Sequence, residues 1–146
     1  MLRINKMTDY AIRVIRAISL DEEETVTSIK IAEKENIQNP ILMKVLRKLN
    51  QHGIVKSSRG RGDSRGGFSL VKSPKEITLL DIISIMEEDV YINECVKDSG
   101  ICCNSINCKV HKEFLRINDV IRMELSRRSI YEIISEPLLT ISSHEE

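Results

Sequence analysis

Tryptophan is absent, and the 146 residues hold only three tyrosines and two phenylalanines. Any core must therefore be aliphatic, and 41% hydrophobic residues are enough to build one. No apolar run approaches the ~18 residues that a membrane-crossing helix needs, and the opening Met1-Leu2-Arg3-Ile4-Asn5-Lys6 lacks the apolar stretch of a signal peptide. These absences set the expectation of a cytoplasmic protein with no membrane partner. Net charge is also missing: 22 Lys and Arg balance 22 Asp and Glu, so the self-repulsion that keeps a chain disordered is small. Internal repeats and low-complexity tracts are not found. No Cys-x-x-Cys pair and no base or oxyanion arrangement is visible, which argues against a thiol redox enzyme.

The zero net charge conceals a division. Residues 1–75 carry 15 basic against 8 acidic residues, and residues 76–146 carry 7 against 14. Between 39 and 75 there are nine basic residues and one acid, Asp63. Such a half is suited to a polyanion, although ordinary solvated charge has the same composition.

Apolar spacing predicts a helix over residues 8–19, with Thr8 or Asp9 as cap and Tyr10, Ala11, Val14, Ile15 and Ile18 recurring at helical intervals. After the acidic loop Asp21-Glu22-Glu23-Glu24, a second helix opens with Thr27 or Ser28 as cap and closes near Glu35-Asn36. Asn39 is the expected cap and Pro40 the expected first residue of a third helix, which ends at Gly53. Leu42, Val45, Leu46 and Leu49 form its apolar face, and Lys44, Arg47, Lys48 and Gln51 its other face. Ile54 to Ser57 and Phe68 to Val71 read as the strands of a hairpin whose tip holds four glycines and three arginines. Thr78-Leu79-Leu80-Asp81 resembles a capping sequence for a helix ending near Glu87. Residues 89–110 show no period. A long amphipathic helix follows over 112–126, with Phe114, Ile117, Ile121 and Leu125 on one stripe and Met123 beside it, then a short helix over 129–135 stopped by Pro137. The tail from Thr140 reads as frayed.

Three helices followed by a two-stranded hairpin describe a winged helix–turn–helix. The expected fold is mostly α with a small β-hairpin: a DNA-binding domain over 1–75, a linking helix and cysteine segment over 76–110, and a dimerisation helix with a C-terminal tail over 111–146. The third helix can lie in a major groove, which makes Asn39, Pro40, Lys44, Arg47 and Lys48 its candidates for contact. Arg59, Arg61 and Arg65 can reach an adjacent minor groove from the wing. Most of these contacts would be to phosphate, giving affinity rather than sequence reading. The stripe on the long helix is too apolar for a lone surface helix. It suits either packing within the chain or an antiparallel pairing with a second copy, whose two-fold axis would match a palindromic operator.

All four cysteines, Cys95, Cys102, Cys103 and Cys108, lie within 14 residues. Clustered thiols without a secretion signal point to a metal or redox site. Iron–sulfur clusters take thiolates, tetrahedral zinc takes three cysteines and a histidine, and a set of reduced, partly buried thiols is the plainest alternative.

The chain resembles the winged-helix regulators of the IscR and NsrR type, a group that also includes the cluster-free CymR. The resemblance runs from Met1 to about Leu138. It rests on Thr8-Asp9-Tyr10-Ala11-Ile12-Arg13, on Leu42-Met43-Lys44-Val45-Leu46-Arg47-Lys48-Leu49, on His52-Gly53-Ile54-Val55, on Arg59-Gly60-Arg61-Gly62 and on the cysteine loop. It implies a homodimeric repressor or activator, read here as a repressor, that binds palindromic double-stranded DNA and senses nitric oxide, iron or redox status through a 2Fe–2S or 4Fe–4S cluster. The alternative is a cluster-free member that responds to a small molecule or partner protein. By the family's gap pattern Cys95, Cys102 and Cys108 are the metal ligands and Cys103 a bystander. The fourth ligand is Asp9 supplied by the second copy, as NsrR-like members suggest, or His111, as IscR-like members suggest; the Thr8-Asp9-Tyr10 match leans toward Asp9. Two departures stand out. Asp63-Ser64-Arg65 widens the wing before Gly66-Gly67, and Met43 occupies a position where some IscR-like members place an acidic residue against a base edge.

Overall fold

The computed structural model of the chain describes residues 4–60, 66–87, 90–102 and 104–137. Helix α1 (Lys6–Ser19) buries Ala11, Val14, Ile15, Ala17 and Ile18. It starts two residues before the expected cap, because Asn5 caps it: the Asn5 side chain accepts the Thr8 amide at 2.9 Å. Asp9 is therefore an exposed first-turn residue, favourably placed against the helix dipole. Helix α2 (Ser28–Glu35) is capped by Thr27 and ends at Asn36 in the left-handed conformation. Helix α3 (Asn39–Gln51) buries Leu42, Val45, Leu46 and Leu49, as the spacing predicted. Its N-cap is Gln38, so Asn39 and Pro40 each stand one position further into the helix than expected.

Strands β1 (Val55–Ser58) and β2 (Gly67–Leu70) pair antiparallel, Val55 opposite Leu70 and Ser58 opposite Gly67. Val26 adds a bridge to Phe68 that residue patterning did not reveal, with reciprocal backbone bonds of 2.9 and 2.8 Å. Gly67 permits this approach, since a Cβ there would lie 2.8 Å from the Val26 carbonyl oxygen.

Helix α4 (Leu79–Glu87) opens on reciprocal bonds between Thr78 and Asp81 and buries Ile82, Ile83 and Met86. Helix α5 (Glu94–Lys97) and two single 3-10 turns (Ser99–Ile101 and Ser105–Asn107) give form to a segment that showed no period. Helix α6 (Lys109–Arg127) begins three residues earlier than predicted, because the Cys108 sulfur accepts the His111 amide at 3.4 Å. Helix α7 (Ile130–Ser135) starts at a capping box between Ser129 and Glu132.

One aliphatic core joins α1, α2, α3, the wing strands and α4, and Ile130 of α7 is part of it. The connection is fixed by a bridge between Thr78 and Ser129 and by the Ile130 amide donating to the Ile77 carbonyl at 2.7 Å. On α6 the stripe Phe114, Ile117, Ile121 and Leu125 is half-buried, His111 and Asn118 are buried, and Met123 and Val120 are exposed.

Candidate nucleic-acid interface and cysteine segment

Burial of one face of α3 leaves Asn39, Pro40, Met43, Lys44 and Arg47 exposed on the other. Arg59 is exposed where β1 ends, while Arg61, Arg65 and the insertion at Asp63-Ser64 lie outside the described residues. The basic charge of the first half is sorted by ion pairing. Arg13 and Arg16 are taken by Glu35 at 3.2 and 2.6 Å. Lys30 and Lys34 are taken by Asp21 at 2.9 and 2.7 Å, and those two lysines hold its carboxyl well below the usual carboxylate range. Lys44, Arg47, Lys56 and Arg59 enter no such pair among the described residues. Their positive charge stays available to a polyanion.

Lys48 has a different environment. It is half-buried at the edge of the α3 face, and its Nζ donates to the Met86 carbonyl at 3.1 Å. That carbonyl belongs to the last turn of α4, where oxygens lack helical partners and a cation is favoured. The next residue, Glu87, accepts from the Asn5 amide (3.0 Å), the Asn5 side chain (2.8 Å) and the Thr8 hydroxyl (2.5 Å). Spacing alone did not point to this junction.

The cysteines lie on the far side of α4 in the chain. Cys95 sits in α5, Cys102 follows the first 3-10 turn, and Cys108 caps α6; all three are half-buried and free. Helix α5 packs on both α6 and the first turn, and the two turns pack on each other. The three thiols are thus carried by segments in mutual contact. Cys103 lies outside the described residues. His111 is 8% exposed, and its Nδ1 is buried with no hydrogen-bond partner. Such an atom is costly unless something binds it. Asp9, by contrast, is exposed and lies 3.6 Å from Arg13. Among the described residues no three Cys, His, Asp or Glu side chains converge as a preformed metal site. The donor set, three soft thiols and one unpartnered imidazole nitrogen, nevertheless fits an iron–sulfur group or zinc.

The lead into this segment is fastened to α6. The buried Asn118 accepts the Ile92 amide at 3.2 Å, and Arg122 donates to the Val90 carbonyl at 3.4 Å. A signal for Asn118 was present: it interrupts the α6 stripe between Phe114 and Leu125.

The profile of the Rrf2 family, described as iron-dependent transcriptional regulator, matches residues 4–136. The chain belongs to the Rrf2 family. It is 33% identical over 109 residues to the HTH-type transcriptional regulator NsrR of Bacillus subtilis, covering 73% of each chain. It is 30% identical over 102 residues to protein aau3 of Rhizobium meliloti, covering 70% of this chain and 64% of that one. Its fold matches CymR, the global cysteine regulator of B. subtilis, with a TM-score of 0.72 and 25% identity over 92% of this chain and 98% of that one. This Rrf2 protein is accordingly a DNA-binding transcriptional regulator and not an enzyme, and its winged-helix fold is the expected one. No helix among the described residues is long and apolar enough to cross a membrane.

Proposed function

We propose that this Rrf2 protein is a cytoplasmic homodimeric repressor whose affinity for a palindromic operator is set by an iron–sulfur cluster on Cys95, Cys102 and Cys108. The observation that carries the reading is the placement of three free thiols on mutually packed segments, with the unpartnered Nδ1 of His111 three residues after Cys108. That buried, unpartnered nitrogen favours His111 over the exposed Asp9 as the fourth ligand. When bound, the cluster supplies iron that reacts with nitric oxide or oxygen or is lost when iron is scarce. The chain's own residues do the rest. The Cys108 sulfur caps the start of α6, Asn118 and Arg122 hold the approach to Cys95, and Asn39, Pro40, Lys44 and Arg47 face outward from α3, with Arg59 at the wing. The half-buried stripe of α6 is the surface on which a second copy pairs.

The test is an anaerobic ultraviolet–visible spectrum with iron, sulfide and zinc counts. Cys95→Ala, Cys102→Ala and Cys108→Ala should each lose the brown colour, and Cys103→Ala should keep it. His111→Ala should leave a more labile cluster and Asp9→Ala a near-normal one. Stoichiometric zinc without sulfide would replace the cluster by a zinc site. A colourless, metal-free wild type that still binds DNA would place the chain with the cluster-free reading, which the likeness to CymR favours.

A further inference from the structure

We infer that Lys48 is a positioning residue: it ties the recognition helix α3 to the segment that leads into the cysteines, and is not itself a contact to DNA. The inference rests on the proposed docking of α3 against DNA. Lys44 and Arg47 extend into solvent from α3, whereas Lys48 is half-buried and spends its ammonium on the Met86 carbonyl. The Met86 side chain is itself anchored in the core at 6% exposure, so the acceptor is firmly held. Glu87, one residue on, is bonded to the start of α1 through Asn5 and Thr8. Val90 and Ile92 are bonded to α6 through Arg122 and Asn118, and Cys95 follows three residues later. From Glu87 to Val90 the chain spans at most about 11 Å. A shift of the cysteine segment along α6 reaches the last turn of α4 once that short stretch is drawn taut, and Lys48 passes the pull to α3. Linkage makes the coupling run both ways: DNA held by α3 must also shift the conformational equilibrium of the cysteine segment, which sets how often its thiols open to a reagent.

The test uses cluster-free protein and a duplex selected from a randomised pool by the wild-type cluster-free chain. Two quantities are read: the salt dependence of binding, and the alkylation rate of Cys95, Cys102 and Cys108 with and without the duplex. In the wild type the duplex should change the alkylation rate by about fivefold, a typical coupling. Lys48→Met should abolish that change while leaving the salt slope as it was, and Lys48→Arg should restore it. Arg47→Ala should reduce the slope by about 0.9, the loss of one phosphate contact, and keep the alkylation change. A slope reduced by about 0.9 in Lys48→Met would make Lys48 a phosphate contact and overturn the inference. So would a duplex-dependent alkylation change that survives in Lys48→Met or is missing from the wild type. An unchanged slope in Arg47→Ala would instead overturn the docking of α3.

Discussion

Glu35, 6% exposed, accepts from the guanidinium groups of Arg13 and Arg16 and so joins α1 to α2. Asp21 does the same work toward Lys30 and Lys34, from a side chain only 2% exposed. Its carboxyl is held far below the ordinary value, first by Lys34 and then by Lys30, and Lys30 is raised by the same contact. A depressed carboxyl contributes stability above its unfolded pKa, about 3.9, and loses it as pH falls toward the folded value. A raised lysine contributes below about 10.4 and loses its share as pH rises through the folded value. The stability gap between wild type and Asp21→Asn, read by urea unfolding, should therefore be flat from about pH 5 to about pH 9 and close below about pH 4. A gap that does not narrow at all between about pH 4 and about pH 2 would show that the pairing contributes through packing rather than charge. At this scale the sequence was legible where spacing decides, as with Leu42, Val45, Leu46 and Leu49. It was not legible where partners are distant. Nothing near Lys48 announces a carbonyl 38 residues away, and nothing near Glu35 announces two arginines on another helix.

Element boundaries show the same division between local and distant causes. The period of α1 was readable, but its start was not, because Asn5 gains its place partly from Glu87 at the end of α4. Helix α6 starts early because a cysteine sulfur, an unusual cap, accepts its first-turn amide. The second wing pairing, Val26 with Phe68, is a single bridge and carries no period to detect. Its dependence on Gly67 can be tested. Gly67→Ala puts a methyl against the backbone of Val26 at 2.8 to 3.2 Å, and backbone yields less readily than a side chain. A loss of about 1–3 kcal/mol is expected by chemical denaturation, with amide exchange at Val26 and Phe68 accelerated first. Unchanged exchange at both amides would mean that the bridge does not hold the wing.

Over the whole molecule, the charge division read from composition becomes spatial. Internal ion pairs consume Arg13 and Arg16 of α1 and Lys30 and Lys34 of α2, and leave Lys44 and Arg47 of α3 and Lys56 and Arg59 of the wing to face outward. The pairing of two copies belongs to this scale too. Ile121→Asp places a carboxylate in the proposed seam, and a desolvated unpaired charge costs several kcal/mol, by a rough estimate, more than a modest interface supplies. Sedimentation should show a monomer with helical circular dichroism retained; a folded dimer would put the seam elsewhere. What no local pattern could disclose is the return of the chain. Thr78 and Ser129 meet, and Ile130 enters the core that α1 began, so after α4 the cysteine segment and α6 leave that core and the chain returns to it through α7. A single proteolytic nick between α5 and α6 would therefore yield two fragments that remain clasped, visible as cleavage under denaturing conditions and invisible in native mobility. Continuity and cohesion are separate properties in this fold.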